Sequence, residues 1–368
     1  MPSRRPNLLP LLAMLACLLS THASAAARDH YRVVAYDTAK HPIPDAQLDR
    51  IDTLIFAFAR PVDGRVALSP TARALLQQRI ALKATHPRLK VMVSVGGWTV
   101  GGFSEAAMTA ASRQRFADSA AALLEQTHAD GLDVDWEYPG HHESGIASSP
   151  QDRAHFTALV QALRAALDRA GHGRHYLLTI AAADGPFVDG IDLAAVAPSL
   201  DWFNMMTYDF CNAMTPTTCN HTGLHASARA PADARTLARA VRQFLAAGVP
   251  ASKLVPGVAF YGREFADVGP AHHGLFQPYG HYQGGHDWPE LKADFIGRNG
   301  YVRYWDAKAD APYLWNARTR RFITYDDPQS IAAKAAYVKT RHLGGLMYWE
   351  QGSDTSGELL QAIWQGLH

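Results

Sequence analysis

Eight short runs rich in β-branched and aromatic residues, separated by longer stretches with helical apolar spacing, predict an α/β chain folded as a (β/α)8 TIM barrel. An aromatic-rich interval between the last two runs predicts a small α+β insertion domain between strands 7 and 8. The runs are 31–36, 53–59, 89–96, 131–137, 176–182, 202–208, 254–261 and 345–349.

The helical stretches carry their own punctuation. Ser69-Pro70 and Asp327-Pro328 each place a capping side chain before a proline at the first helical position. Gly171 and Gly248 follow helical runs where a left-handed cap is expected. Leu237, Val241, Phe244 and Leu245 recur at helical spacing and form one apolar face. Residues 265–325 hold 13 aromatic side chains, twice the chain-wide frequency of 10%, and most of these are expected to form a core of their own. The expected organisation is therefore a barrel from 27–264 and 323–368, interrupted by an insertion at 265–322.

The 368 residues are 48% hydrophobic and 19% charged, enough to bury a full core. Lys and Arg total 35 against 34 Asp and Glu with no long run of either sign, which argues against nucleic acid as a partner. Residues 1–26 order their composition as an export signal: Arg4 and Arg5, an apolar stretch from Leu8 to Leu19, then small residues from Ala23. That stretch is shorter than the roughly 20 residues a membrane span needs. A secreted chain, extracellular or periplasmic and without a membrane partner, is expected. Export leaves two cysteines, Cys211 and Cys219, in one Asn-, Thr- and Pro-rich segment, where an oxidising compartment favours a local disulfide. The 18 histidines, including His141-His142 before Glu143 and His272, His273, His281 and His286, follow no ligand spacing, so neither metal nor cofactor is expected.

The chemistry is concentrated in Asp130-Gly131-Leu132-Asp133-Val134-Asp135-Trp136-Glu137-Tyr138-Pro139. Strand side chains alternate, so Asp133, Asp135 and Glu137 share one face and Leu132, Val134 and Trp136 the other. The apolar face must meet the surrounding helices, which turns the carboxyls into the barrel. Charge there is costly unless it serves chemistry. Neighbouring inward carboxyls, roughly 6 to 7 Å apart, disfavour one another's ionisation, so a proton is retained near neutral pH. Glu137, at the C-terminal end, is placed to give that proton to a departing oxygen.

This Asp-Gly-Leu-Asp-Val-Asp-Trp-Glu segment resembles the signature of the family 18 chitinases. Other segments agree in order: Ser94-Val95-Gly96-Gly97, Met206-Thr207-Tyr208-Asp209, Tyr261-Gly262-Arg263, and Gly344 to Glu350 around Trp349. The insertion resembles the chitinase insertion domain of the deeper-grooved branch. Ala259 stands where that branch often has proline, and the 211–225 loop looks particular to this chain.

The resemblance implies a monomeric enzyme acting on chitin or chitooligosaccharides by substrate assistance, in which the sugar's own N-acetyl oxygen attacks. Glu137 is then the acid, Asp135 orients the acetamido group, Asp133 adjusts the protons behind it, and Tyr208 bonds the acetamido oxygen. Asp209, Met206, Trp349, Trp98, Tyr261, Arg263 and Phe58 are candidate substrate contacts, and Tyr36 and Ser94 candidate supports of Asp133. A rim salt bridge is as good a reading of Arg263. Two rival functions remain: an endo-β-N-acetylglucosaminidase on N-glycans, and a non-hydrolytic lectin on the same barrel, although such lectins typically lack the acid.

Overall fold

The computed structural model describes Met1 and residues 30–368. The expected export signal therefore lies outside the described residues, Met1 apart. Eight parallel strands close on themselves in the order β1 (Arg32–Asp37), β2 (Thr53–Val62), β4 (Lys90–Gly96), β5 (Gly131–Asp135), β6 (Leu177–Ala182), β7 (Trp202–Met205), β8 (Leu254–Ala259) and β14 (Gly345–Trp349). The seam is the β1–β14 pairing, with Val34 opposite Met347. A short strand β3 (Arg65–Ala67) folds back antiparallel on β2.

Two apolar layers follow from strand parity. Leu132 and Val134 of β5 face outward into the large core shared with the helices, where Phe116, Phe156, Leu163, Val241 and Ile363 are also buried. The inward layer is smaller and contains Val34, Tyr36, Ile55, Met92, Trp202 and Met347. Among the described residues no helix is long and apolar enough to cross a membrane.

Helix ends follow the local chemistry. Ser69 Oγ accepts from the Ala72 N–H at 3.1 Å at the head of Pro70–Ala81, and Asp327 and Ser330 form a reciprocal capping box at the head of Pro328–Thr340. Gly248 adopts the left-handed conformation after Leu237–Ala246. Gly171 does not: the helix runs through Asp152–Gly171 and His172 takes the left-handed turn, with φ 46°. The polar pair His172-Gly173 ends the helix one residue later than expected.

The interval after β8 builds a second, antiparallel sheet in the order β10 (His281–Asp287), β9 (Tyr261–Ala266), β13 (Arg321–Thr324), β12 (Ala311–Asn316) and β11 (Val302–Asp306). Short helical turns at Ala271–Gly274 and Trp288–Phe295 accompany it. Many of its aromatics form a separate core, including Phe265, Tyr313, Trp315 and Phe322. The paired strands run from Tyr261 to Thr324, so Tyr261 and Arg263 sit at the root of this sheet and directly beyond barrel strand β8.

Two glycines allow the barrel mouth to close. Gly96, at φ 127°, would place a Cβ 2.0 Å from the Asp135 carbonyl oxygen. At Gly257 a Cβ would meet Tyr208 Cε1 at 2.7 Å and the Met205 carbonyl at 2.8 Å. Gly257→Ala is accordingly expected to cost about 1–3 kcal/mol by overpacking. It should lower melting temperature and activity together, and an unchanged melting curve in calorimetry speaks against this packing.

Candidate active site

Asp133 is fully buried and accepts four hydrogen bonds from four other strands. Tyr36 Oη (2.9 Å) and Ser94 Oγ (2.7 Å) donate to one carboxylate oxygen; Thr179 Oγ1 (2.6 Å) and Asn204 Nδ2 (3.1 Å) donate to the other. Trp202 Nε1 in turn donates to Asn204 Oδ1 at 2.8 Å and fixes the amide's orientation. Burial raises the Asp133 pKa, and the four donors offset only part of that.

Asp135, two residues along the same face, has no such ring. Its Oδ1 is buried without a hydrogen-bond partner. Burial, then repulsion from Glu137 and Asp133, pushes its pKa well above the ordinary carboxylate range. Strand β5 ends here: the last ladder partner is Gly96 opposite Asp135, followed by the Gly97 N–H donating to the Asp135 carbonyl. Glu137 therefore lies two residues beyond the strand rather than at its end, because the neighbouring backbone turns away after Gly97. It is half-buried, and burial carries its pKa to about 7. A hydrogen bond with Tyr138 works against that rise and the negative charge of Asp209 adds to it.

Tyr208 is buried, with Oη 3.9 Å from Met347 Sδ. Burial first, and then Tyr261 and the nearby carboxylates, raise its pKa and keep it a hydrogen-bond donor. Asp209 is gripped by Arg263 in a two-bond fork, both at 2.7 Å, with His221 Nδ1 at 3.6 Å. Burial alone would raise the Asp209 pKa; His221 and Arg263 outweigh it and hold the carboxyl ionised, below the ordinary range. Arg263 also lies over the Tyr261 ring at 4.6 Å. Asp209 and Arg263 thus engage each other in this state.

The fixed negative charge of Asp209 yields a prediction with a definite sign. Asp209→Asn removes a charge that favours protonated Glu137 and leaves Arg263 uncompensated. Both changes lower the Glu137 pKa, so the alkaline limb of the pH–rate profile is expected to move to lower pH. Initial rates between pH 5 and 9 measure it, and a limb displaced upward contradicts the arrangement.

Trp349 is half-buried at the end of β14, stacked on Phe58 (5.7 Å) and tilted against Tyr36 (5.6 Å), with Met206 packed into the same inner layer. Trp98 is 46% exposed and meets Tyr138 edge-on at 6.2 Å. Tyr138 continues to Phe187 at 4.7 Å, beside the ion pair between Arg235 and Asp184. Two surface hollows of about 550 and 590 Å³ lie on the flank lined by Asp189, Gln243 and neighbours and include none of the three carboxyls.

Cys211 and Cys219, expected to pair, are both free thiols in this structure, and their side chains lie against each other. Cys211 Sγ is directed to the Thr217 carbonyl at 3.4 Å and Cys219 Sγ to the Phe210 carbonyl at 3.6 Å. Each thiol is thereby satisfied by the backbone of its own loop.

Sequence reasoning missed Thr179, Asn204, Tyr138, His221 and Phe187. Parity carries Thr179 and Asn204 inward with Ala181 and Trp202, so a signal existed for those two. His221 sits in irregular backbone, where no periodicity marks it.

Comparison with known proteins agrees with this geometry. The chain is 42% identical over 302 residues to Chitinase A1 of Niallia circulans, covering 77% of this chain and 43% of that protein. It is 32% identical over 344 residues to Chitinase A of Pseudoalteromonas piscicida, covering 80% of this chain and 41% of the relative. The chain thus spans less than half the length of either. Among solved structures, a glycoside hydrolase family 18 N-acetylglucosaminidase from Paenibacillus barengoltzii superposes with a TM-score of 0.88 at 41% identity, covering 92% of this chain and 100% of that one. The model of the glycosyl hydrolases family 18 matches residues 32–354, and with the carboxyl row facing into a closed parallel barrel, this chain belongs to that family.

Proposed function

We propose that the chain is a secreted chitinase that hydrolyses β-1,4 links between N-acetylglucosamine units by substrate-assisted, anomer-retaining catalysis. The observation that carries this reading is Glu137, whose proton affinity is raised to about 7 at the open end of a row of buried carboxyls. A carboxyl so held is protonated at slightly acidic pH and ready to donate to the glycosidic oxygen. The family is among those in which the substrate's acetamido oxygen takes the place of a protein nucleophile. Asp135, with an unsatisfied buried oxygen, orients the acetamido N–H and balances the charge that develops on the ring formed. Asp133, fixed by its four donors, adjusts the proton distribution behind it. Tyr208 Oη donates to the acetamido oxygen, and the Trp349 ring, backed by Phe58, is the floor for the sugar. Trp98, Met206, Tyr261 and the Asp209–Arg263 pair line the remaining contacts, and the 265–322 insertion walls one side of the cleft. Residues 1–26 direct export to the periplasm or the medium, and the enzyme works as a monomer without cofactor.

Products and anomers from defined chitooligosaccharides test the proposal. Initial β-anomers with inhibition by a thiazoline-type mimic are expected; initial α-anomers overturn substrate assistance. Release of high-mannose glycans with little attack on colloidal chitin replaces chitin by N-glycans as substrate, and binding of chitohexaose without turnover makes the chain a lectin. The full overlap with a solved N-acetylglucosaminidase makes the single sugar the first product to look for.

A further inference from the structure

Lys334 and Asp326 form an ion pair with both side chains fully buried, Lys334 Nζ lying 2.7 and 2.6 Å from the two carboxylate oxygens. Such a pair is a poor stabiliser: stripping water from each ion costs several kcal/mol, and well-packed apolar side chains often replace it at no loss. What distinguishes this one is where its remaining hydrogen bonds go. Ser330 Oγ donates to Asp326 Oδ1 at 2.6 Å, which closes the pair against the head of Pro328–Thr340. Every other bond leads toward the active site. Thr222 Oγ1 accepts from Lys334 at 2.6 Å and lies 3.0 Å from Asp326 Oδ2 and 3.3 Å from the Thr207 carbonyl, the group immediately before Tyr208. The Ala259 N–H donates to Asp326 Oδ2 at 3.1 Å, at the end of β8 and two residues before Tyr261. A proline here could not make that bond. Thr207 in turn clamps Gly257, accepting from its N–H at 2.8 Å and donating to its carbonyl at 2.7 Å.

One buried carboxylate therefore joins three backbone segments: the one that carries Tyr208 and Asp209, the one that sets His221 beside Asp209, and the one that delivers Tyr261 and Arg263. We infer that Lys334 and Asp326 are positioning residues for the reaction, holding Tyr208 and the Asp209–Arg263 pair in register with Glu137 through Thr222 and Thr207. The inference rests on the hydrolytic reading of this site. Its chemistry is mechanical: no proton or electron passes along the chain of bonds, and neither residue touches substrate. Loosening the tie shifts Tyr208 relative to Asp135, and a displacement of about 1 Å at a reacting centre costs on the order of 10²-fold in rate.

Lys334→Met alone strands a buried carboxylate and is expected not to fold. Two other variants carry the test. The double replacement Lys334→Met with Asp326→Leu removes both charges but leaves the buried Ala259 N–H and Ser330 hydroxyl unpaired, so it should fold with a modestly lowered melting temperature, while kcat per folded molecule on an aryl chitobioside falls by about 10- to 100-fold. Thr222→Val keeps the shape and cuts the tie, and should lower kcat by about 10-fold with KM within about threefold. Thr222→Ser restores the hydroxyl and is expected to restore kcat. A merely structural pair predicts unchanged kcat per folded molecule in both variants, whatever the loss of melting temperature. That result overturns the inference, as does failure of serine to rescue. Failure of the functional reading is separate, because it appears in the wild type as absence of turnover. In that event there is no reaction to position for and the inference falls with the reading, whereas turnover by the wild type with unchanged kcat in Thr222→Val overturns the inference alone.

Discussion

Glu137→Gln is expected to lower kcat on chitooligosaccharides by about 10³-fold while the protein remains folded and still binds sugar. The amide is nearly isosteric with the acid but has no proton to give to the leaving oxygen. Stability should move the other way with pH. Burial raises the folded-state pKa from 4.5 to about 7, so between those values the folded protein binds more protons than the unfolded chain and loses stability as pH rises. Glutamine removes that penalty, and the variant should melt at or above the wild-type temperature at pH 8. Calorimetry beside initial-rate kinetics separates the two effects. Near wild-type turnover in the folded variant refutes the assignment of the acid.

Asp135→Asn is expected to have the second largest effect, a fall of about 10²- to 10³-fold in kcat, because the amide cannot give up a proton to balance the acetamido-derived cation as it forms. The variant also reports on the coupling between carboxyls. Asp135 and Glu137 repel when both are ionised, so they titrate as a pair with shared apparent pKa values. With position 135 unable to ionise, Glu137 titrates alone and the alkaline limb shifts from its wild-type position. Profiles from pH 4 to 9, measured with an aryl chitobioside, test both claims. An unshifted limb with full kcat would place the substrate's acetamido group elsewhere.

Much of this was legible before any coordinates. Alternation alone brought Asp133 and Asp135 to one face, and the apolar residues between them decided that the face points inward. The eight strands and the aromatic insertion followed from composition and spacing. Strand ends were harder to locate: the run through Glu137 keeps its alternation, yet β5 loses its ladder at Asp135. Side-chain alternation marks a face but not the last hydrogen bond. The ring of donors around Asp133 was half visible, since Tyr36 and Ser94 lie near barrel-strand ends whereas Thr179 and Asn204 look like ordinary strand residues. The cysteines misled because spacing and compartment speak for pairing, while the loop's own carbonyls offer the thiols another solution. His221 leaves no periodic mark because it lies in irregular backbone, and the role of the Lys334–Asp326 pair is hidden because its tie to Thr222 spans 112 residues.

The seam between β1 and β14 has a consequence for biogenesis. The strand that ends in Trp349 lies between Arg32–Asp37 and Leu254–Ala259, so the cylinder cannot close until this last strand arrives. A nascent chain halted before 345 has two unpaired strand edges and no floor for a sugar ring. The barrel is thus completed late, and a prematurely terminated copy is expected to be sticky and to lack a closed site.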